Sequence, residues 1–303
     1  MPFAGGGPAQ KPWRTGAQIG FLNVSGANSP LFIASLGLEP GPGVDTFLLI
    51  HGYGASTFSW RYWGPRLAER GHVVMIDLKG FGFAEKPNDG RYSPEDQAEL
   101  VCQLIEERDL RRVTIVGHSL GGGIALLTAL RLKDSGSTRI ERLVIVSGAA
   151  YEQRFPPFIQ LAKWPILISV IFRMIGAHRI IRWVLRSMVH DPSAITEMQV
   201  NGYAAPLGSE GAIRSLMETA RQIVPPNLEQ LVLRYPEVTA PALLLWGKGD
   251  SVVPLTVGQR LAQALPDAHL HVLDACGHMP AEELPEESFA VLSSFLEGRG
   301  AHT

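Results

Sequence analysis

The 303-residue sequence has two cysteines, Cys102 and Cys276, and no Cys/His cluster at zinc-ligand spacing. Two thiols so far apart form no disulfide framework and read as reduced residues of a cytoplasmic protein. Charge is sparse as well: 18% of residues are charged and the net charge is −2. Without a basic excess to neutralise a phosphate backbone, nucleic acid is excluded as a partner. Long apolar runs are missing too. The longest, residues 164–172, is about half of the ~20 residues a spanning helix needs, so no integral membrane segment is expected. The Gly- and Pro-rich residues 1–13 lack the basic start and apolar core of a secretory signal and read as a loose tail. Nothing in the sequence asks for a metal or an organic cofactor.

What is present is a large apolar fraction, 46%, enough to bury a sizeable core. The length suits one catalytic core carrying one inserted subdomain. Short strand-like segments fall at 18–24, 31–36, 46–50, 73–76, 113–116, 143–146, 242–246 and 269–273. Helical patterns fall at 58–70, 93–108, 256–265 and 285–297, with another after residue 119. Ser93-Pro94-Glu95-Asp96 opens the second helix with a capping serine, a proline at the first position and acids in the first turn. Apolar strands alternating with amphipathic helices give an α/β class: a mostly parallel sheet flanked by helices on both faces. In such sheets ligands bind beyond the carboxyl ends of the strands.

The alternation stops between 151 and 235, where helical patterns are interrupted by Pro156-Pro157, Pro165, Pro206 and Pro225-Pro226. So long a stretch exceeds an ordinary connection and reads as an inserted helical cap. The expected organisation is a core over 1–150, with 1–15 as a tail, a cap over 151–236 and the rest of the core over 237–303.

Chemistry concentrates at strand ends. The strand 113–116 runs into Gly117-His118-Ser119-Leu120-Gly121-Gly122, a G-x-S-x-G between a strand and a helix. There a sharp turn exposes the serine hydroxyl, and the glycines allow close backbone approach. A serine needs a base to become a nucleophile. His278, in Cys276-Gly277-His278-Met279-Pro280 after the last strand, is the candidate; His118 and His51 are rivals expected to serve local structure. Asp250, at the end of Trp246-Gly247-Lys248-Gly249-Asp250, would orient the base, with Asp274 as second choice and Asp77 as a loop organiser. Backbone N–H groups of Leu120 and Tyr53, the latter in His51-Gly52-Tyr53-Gly54, would hold an oxyanion.

These motifs, in this order, resemble the α/β-hydrolase superfamily, as do Asp77-Leu78-Lys79-Gly80-Phe81-Gly82 and Glu283-Leu284-Pro285-Glu286. Many members have serine where this chain has Ala84. The resemblance implies an α/β-hydrolase fold and a Ser, Asp, His triad. Ser119 sets the chain apart from epoxide hydrolases and haloalkane dehalogenases, which use Asp there. The extended HGGG loop of one lipase and esterase group is missing, and Gly54-Ala55-Ser56 stands where carbon–carbon bond hydrolases of ring-cleavage products often have Gly-Pro-Gly.

The expected function is a cap-bearing carboxylesterase acting on a small-molecule ester of short to medium acyl chain, compatible with a homo-oligomer. Two alternatives stay open: a carbon–carbon hydrolase of diketone acids, which would need inward cap arginines, and a triad-bearing ligand receptor. Within the cap, residues 166–189 mix apolar residues with Arg173, His178, Arg179, Arg182 and Arg186. That pattern fits either a solvated basic helix packed on the core or a lid whose basic face touches anionic membrane.

Overall fold

The computed structural model describes residues 18–21 and 31–298. The expected tail, 1–13, and the end of the first expected strand, 22–24, lie outside them. Eight strands form one sheet in the order β1-β2-β4-β3-β5-β6-β7-β8. They are β1 (Gln18–Phe21), β2 (Phe32–Gly37), β3 (Thr46–Ile50), β4 (His72–Asp77), β5 (Val113–His118), β6 (Ile140–Val146), β7 (Ala242–Gly247) and β8 (Ala268–Leu273). The pairs β1–β2 and β2–β4 are antiparallel. From β4 through β3 to β8 every pairing is parallel.

The two-residue period of the strands sorts side chains into two cores, one on each face. Leu48, Ile50, Val74, Ile76, Ile115, Ile145 and Trp246 belong to one cluster. Their neighbours in sequence, Phe47, Leu49, Val73, Met75, Val116, Val144 and Leu245, belong to the other. Both faces are therefore covered, which is why β3 and β7 are buried throughout and, apart from Thr46, apolar. The edge strand β8 is only partly buried and carries His269 and His271.

Around the sheet lie α1 (Trp63–Ala68), α2 (Pro94–Glu107) and α3 (Leu120–Asp134). Between β6 and β7 come α4 (Pro157–Ala162), α5 (Pro165–Ile175), α6 (Ala177–Met188), α7 (Glu197–Ala204), α8 (Ala212–Gln222) and α9 (Leu228–Leu233). The chain closes with α10 (Leu255–Ala264), α11 (Pro280–Glu283) and α12 (Pro285–Leu296). Ser93 and Asp96 form a reciprocal capping box at the start of α2, a device worth about 1 kcal/mol. The buried side of α2 is Ala98, Val101, Leu104 and Ile105. Helix α3 is apolar nearly all round and buried over most of its length, as expected of a helix wedged between the sheet and α2.

One expected helix differs. Residues 58–70 are not continuous: a 3-10 turn, Thr57–Trp60, precedes α1. Pro65 has no N–H, and its ring would clash with the carbonyl of Arg61 in an unbroken helix. The break lets both Trp60 and Trp63 bury almost completely.

Candidate active site

Ser119 is the single residue between β5 and α3. Its backbone sits at φ 54°, ψ −117°, a sparsely populated region for a residue with a Cβ. The surroundings enforce it. A Cβ on Gly117 would lie 2.3 Å from the Gly121 carbonyl oxygen, and one on Gly121 would lie 2.3 Å from that of Ile50. Only glycine permits strand, helix and β3 to approach so closely. Ser119 N–H donates to Val146 O at 3.0 Å, and Ser119 O accepts from the N–H groups of Gly122 and Ala149, both at 2.9 Å. The hydroxyl is thus held at the carboxyl edge of the sheet by a fully bonded backbone.

Asp250 lies just beyond β7, and its Oδ1 accepts from the N–H groups of Val252 and Val253, both at 2.9 Å. His278 Nδ1 lies 3.0 and 2.9 Å from the two Asp250 oxygens. Both residues are buried. Burial alone would raise the Asp250 pKa. The neighbouring His278 charge, its hydrogen bond and the Val253 N–H outweigh that and hold the carboxyl below its ordinary value. With Nδ1 committed to Asp250, Nε2 is the ring nitrogen left to serve a hydroxyl. Asp274, the second choice from sequence, is exposed and pairs with Lys248 at 2.7 Å.

The loop that carries His278 is clamped by a residue to which the sequence reading gave no role. Glu283, at the end of α11, accepts from Gly277 N–H with both oxygens at 3.0 Å and from Met279 N–H at 2.9 Å. It thereby brackets His278 on both sides. A third donor is His190 N–H at 2.7 Å, and His278 N–H donates to Met188 O at 2.8 Å. The base loop is therefore stitched to the end of α6. The available signal was an acid five residues past the histidine, within reach of a Gly-His-Met turn. A second acid, Glu282, ion-pairs with buried Arg61 at 2.5 Å and accepts from Tyr203 of α7.

The rival histidines are held in local structure. His118 Nε2 lies 2.8 Å from the carbonyl oxygen of His278, to which it donates. Burial, reinforced by the neighbouring His278 charge, pushes its pKa down to about 3. His51 is fully buried; its Nε2 accepts from Leu78 N–H at 3.0 Å and its Nδ1 is 2.7 Å from Gly52 O. Burial lowers its pKa too, so both rings stay neutral near pH 7. Asp77 organises loops as expected: Oδ1 accepts from Thr57 N–H at 2.5 Å and Oδ2 from Phe83 N–H at 2.7 Å.

Of the two expected oxyanion donors, Leu120 directly follows the serine and Tyr53 follows Gly52 in the loop beside it. Leu120 is the first residue of α3, so its N–H is one of the donors a helix start leaves unpaired. A Cβ on Gly52 would stand 3.0 Å from Ser119 Cβ, which brings the Gly52-Tyr53 loop against the nucleophile. The Tyr53 hydroxyl donates to Leu216 O of α8 at 2.8 Å, which ties its side chain to the inserted helices.

Beside this loop lies a cavity of about 430 Å³. Tyr53 and Gly54 reach it from the core, while Ile168, Phe172, Ile181 and Leu185 are among the aliphatic and aromatic groups that line it from α5 and α6. Among the described residues Arg179 is the one charged side chain in the lining. Among the described residues no cluster of three or more His, Cys, Asp and Glu is arranged to hold a metal.

Comparison with known proteins agrees with this fold. The chain is 30% identical over 261 residues to the uncharacterized hydrolase YugF of Bacillus subtilis, covering 84% of this chain and 91% of that protein. It is 27% identical to a 2-hydroxy-6-oxononadienedioate/2-hydroxy-6-oxononatrienedioate hydrolase of Cupriavidus pinatubonensis, covering 79% and 82%. The solved structure of an esterase from Exiguobacterium antarcticum superposes with a TM-score of 0.73 at 21% identity, over 88% of this chain and 95% of that one; that likeness is one of fold. The profile of the alpha/beta hydrolase family matches residues 47–291, and the chain belongs to that family.

Proposed function

We propose that this chain is a serine hydrolase that cleaves carboxylic esters of short to medium acyl chain through an acyl-enzyme on Ser119. In this reading His278 Nε2 takes the Ser119 proton as the hydroxyl attacks the ester carbonyl. Asp250 keeps the proton of the neutral ring on Nδ1 and stabilises the imidazolium that forms. The Leu120 and Tyr53 N–H groups receive the oxyanion, each donor being worth ~3 kcal/mol in the transition state. His278 returns its proton to the leaving alcohol, then activates water to release the acid. The inserted helices supply the acyl site.

The observation that carries the choice of ester is the cavity beside Gly54: its lining is aliphatic and aromatic apart from Arg179, which suits an apolar acyl group. Arg179 also gives weight to a second reading, a carbon–carbon hydrolase whose substrate carboxylate it would meet, in keeping with the activity named for the Cupriavidus relative. Hydrolysis of p-nitrophenyl esters from acetate to palmitate, set against a ring-cleavage dienoate, separates the two. The ester reading predicts turnover of short and medium esters that Ser119→Ala abolishes and Arg179→Ala leaves within a few fold. Turnover of the dienoate that Arg179→Ala destroys, with esters inert, would replace it with the second reading.

A further inference from the structure

Helix α5 is apolar on both sides. Ile168, Ile171, Phe172 and Ile175 face the cavity. Leu167, Val170 and Met174, on the adjoining face of the helix, are 45%, 51% and 77% exposed, and Trp164, at its N-cap, is 67% exposed. A helix that is hydrophobic all round belongs inside a protein or against lipid, yet this stripe faces outward. At Gly176 the backbone turns at φ 84° into α6, whose Trp183 is 54% exposed and also lines the cavity. Contiguous apolar surface of this kind marks a docking face.

The charges around it identify what docks. Residues 153–190 contain six Lys and Arg residues and no Asp or Glu. Of these, only Arg182 is ion-paired among the described residues, with Glu197 of α7 at 2.6 Å; Arg179 lines the cavity, while Arg173 and Arg186 meet no carboxylate among the described residues. A second copy docking face to face would set these cations against their own counterparts. An anionic headgroup layer neutralises them while the Trp164–Met174 stripe enters the acyl boundary. Among the described residues no helix is long and apolar enough to cross a membrane, so the contact is interfacial.

We propose that the α5–α6 hairpin docks this protein on an anionic phospholipid surface through the exposed Trp164, Leu167, Val170 and Met174 stripe and the flanking arginines. The docking claim is separate from the ester reading. The test is flotation with phosphatidylglycerol/phosphatidylcholine vesicles and with phosphatidylcholine alone, using Ser119→Ala protein so that no lipid is consumed. Binding is expected to the anionic vesicles, to weaken in high salt, and to fall about tenfold or more in Arg173→Glu/Arg186→Glu and in Trp164→Ser/Met174→Ser. In an otherwise wild-type background, both double variants keep wild-type turnover of p-nitrophenyl acetate, which reports on folding and on the ester reading independently. Three results overturn the proposal: no binding to anionic vesicles, equal binding by the variants, or a wild-type dimer that Trp164→Ser/Met174→Ser dissociates, which would assign the face to a second copy.

Discussion

Replacing Glu283 with alanine removes the carboxylate that holds the His278 loop. Gly277 and Met279, on either side of His278, lose acceptors at 3.0 and 2.9 Å, and His190 loses one at 2.7 Å. A hydrogen bond to a charged group contributes about 1.5–3 kcal/mol. Water can take over at exposed His190, so the loss concentrates on the other two donors. Part of that is recovered by water entering the space, which leaves an expected cost of about 3 kcal/mol. For a chain of this length that lowers the unfolding temperature by about 5 °C. Because the freed residues adjoin the base, a displaced imidazole should also lower kcat about 10- to 100-fold. Glu283→Gln keeps one acceptor oxygen and should fall between the two. Thermal unfolding by circular dichroism and kcat on p-nitrophenyl butyrate read both effects. A Glu283→Ala protein that unfolds at the wild-type temperature refutes the clamp, and one that is destabilised yet turns over at the wild-type rate refutes its role in placing His278.

Asp250→Asn should fold normally and lose about 10⁴-fold in kcat, because the amide no longer selects the ring tautomer; steady-state kinetics with matched unfolding curves checks this. Glu282→Ala leaves buried Arg61 without its carboxylate and should cost about 3–5 kcal/mol in urea unfolding, whereas Arg61→Met/Glu282→Met should cost far less. His118 has a folded pKa of about 3 against an ordinary 6.5. The unfolded chain therefore binds a proton in that window that the folded chain refuses, and stability falls as pH drops from 6.5 toward 3. Measured over that range, the pH slope of stability should flatten in His118→Asn.

The sheet was legible because each central strand is short, apolar and followed by a turn residue with a chemical task. Six expected strands, 46–50, 73–76, 113–116, 143–146, 242–246 and 269–273, lie within observed β3, β4, β5, β6, β7 and β8. The pairing of His278 with Asp250 could be read from strand-end position alone, since β7 and β8 are parallel neighbours and their following loops must meet. Helix 58–70 was misread because its apolar spacing is helical while Pro65 forbids the continuous hydrogen-bond ladder. Glu283 was missed because its partners are backbone N–H groups, so its spacing from His278 is the one mark the contact leaves in the sequence. The inserted helices were the least legible part: α5 has apolar residues on every side, so periodicity could not say which side faces the cavity.

The central claim is that Ser119 is the nucleophile. Intact-mass analysis after exposure to a fluorophosphonate tests it directly. The account predicts a single adduct on Ser119, slowed in His278→Ala and absent from folded Ser119→Ala; an adduct on another residue, or undiminished labelling of Ser119→Ala, would contradict it.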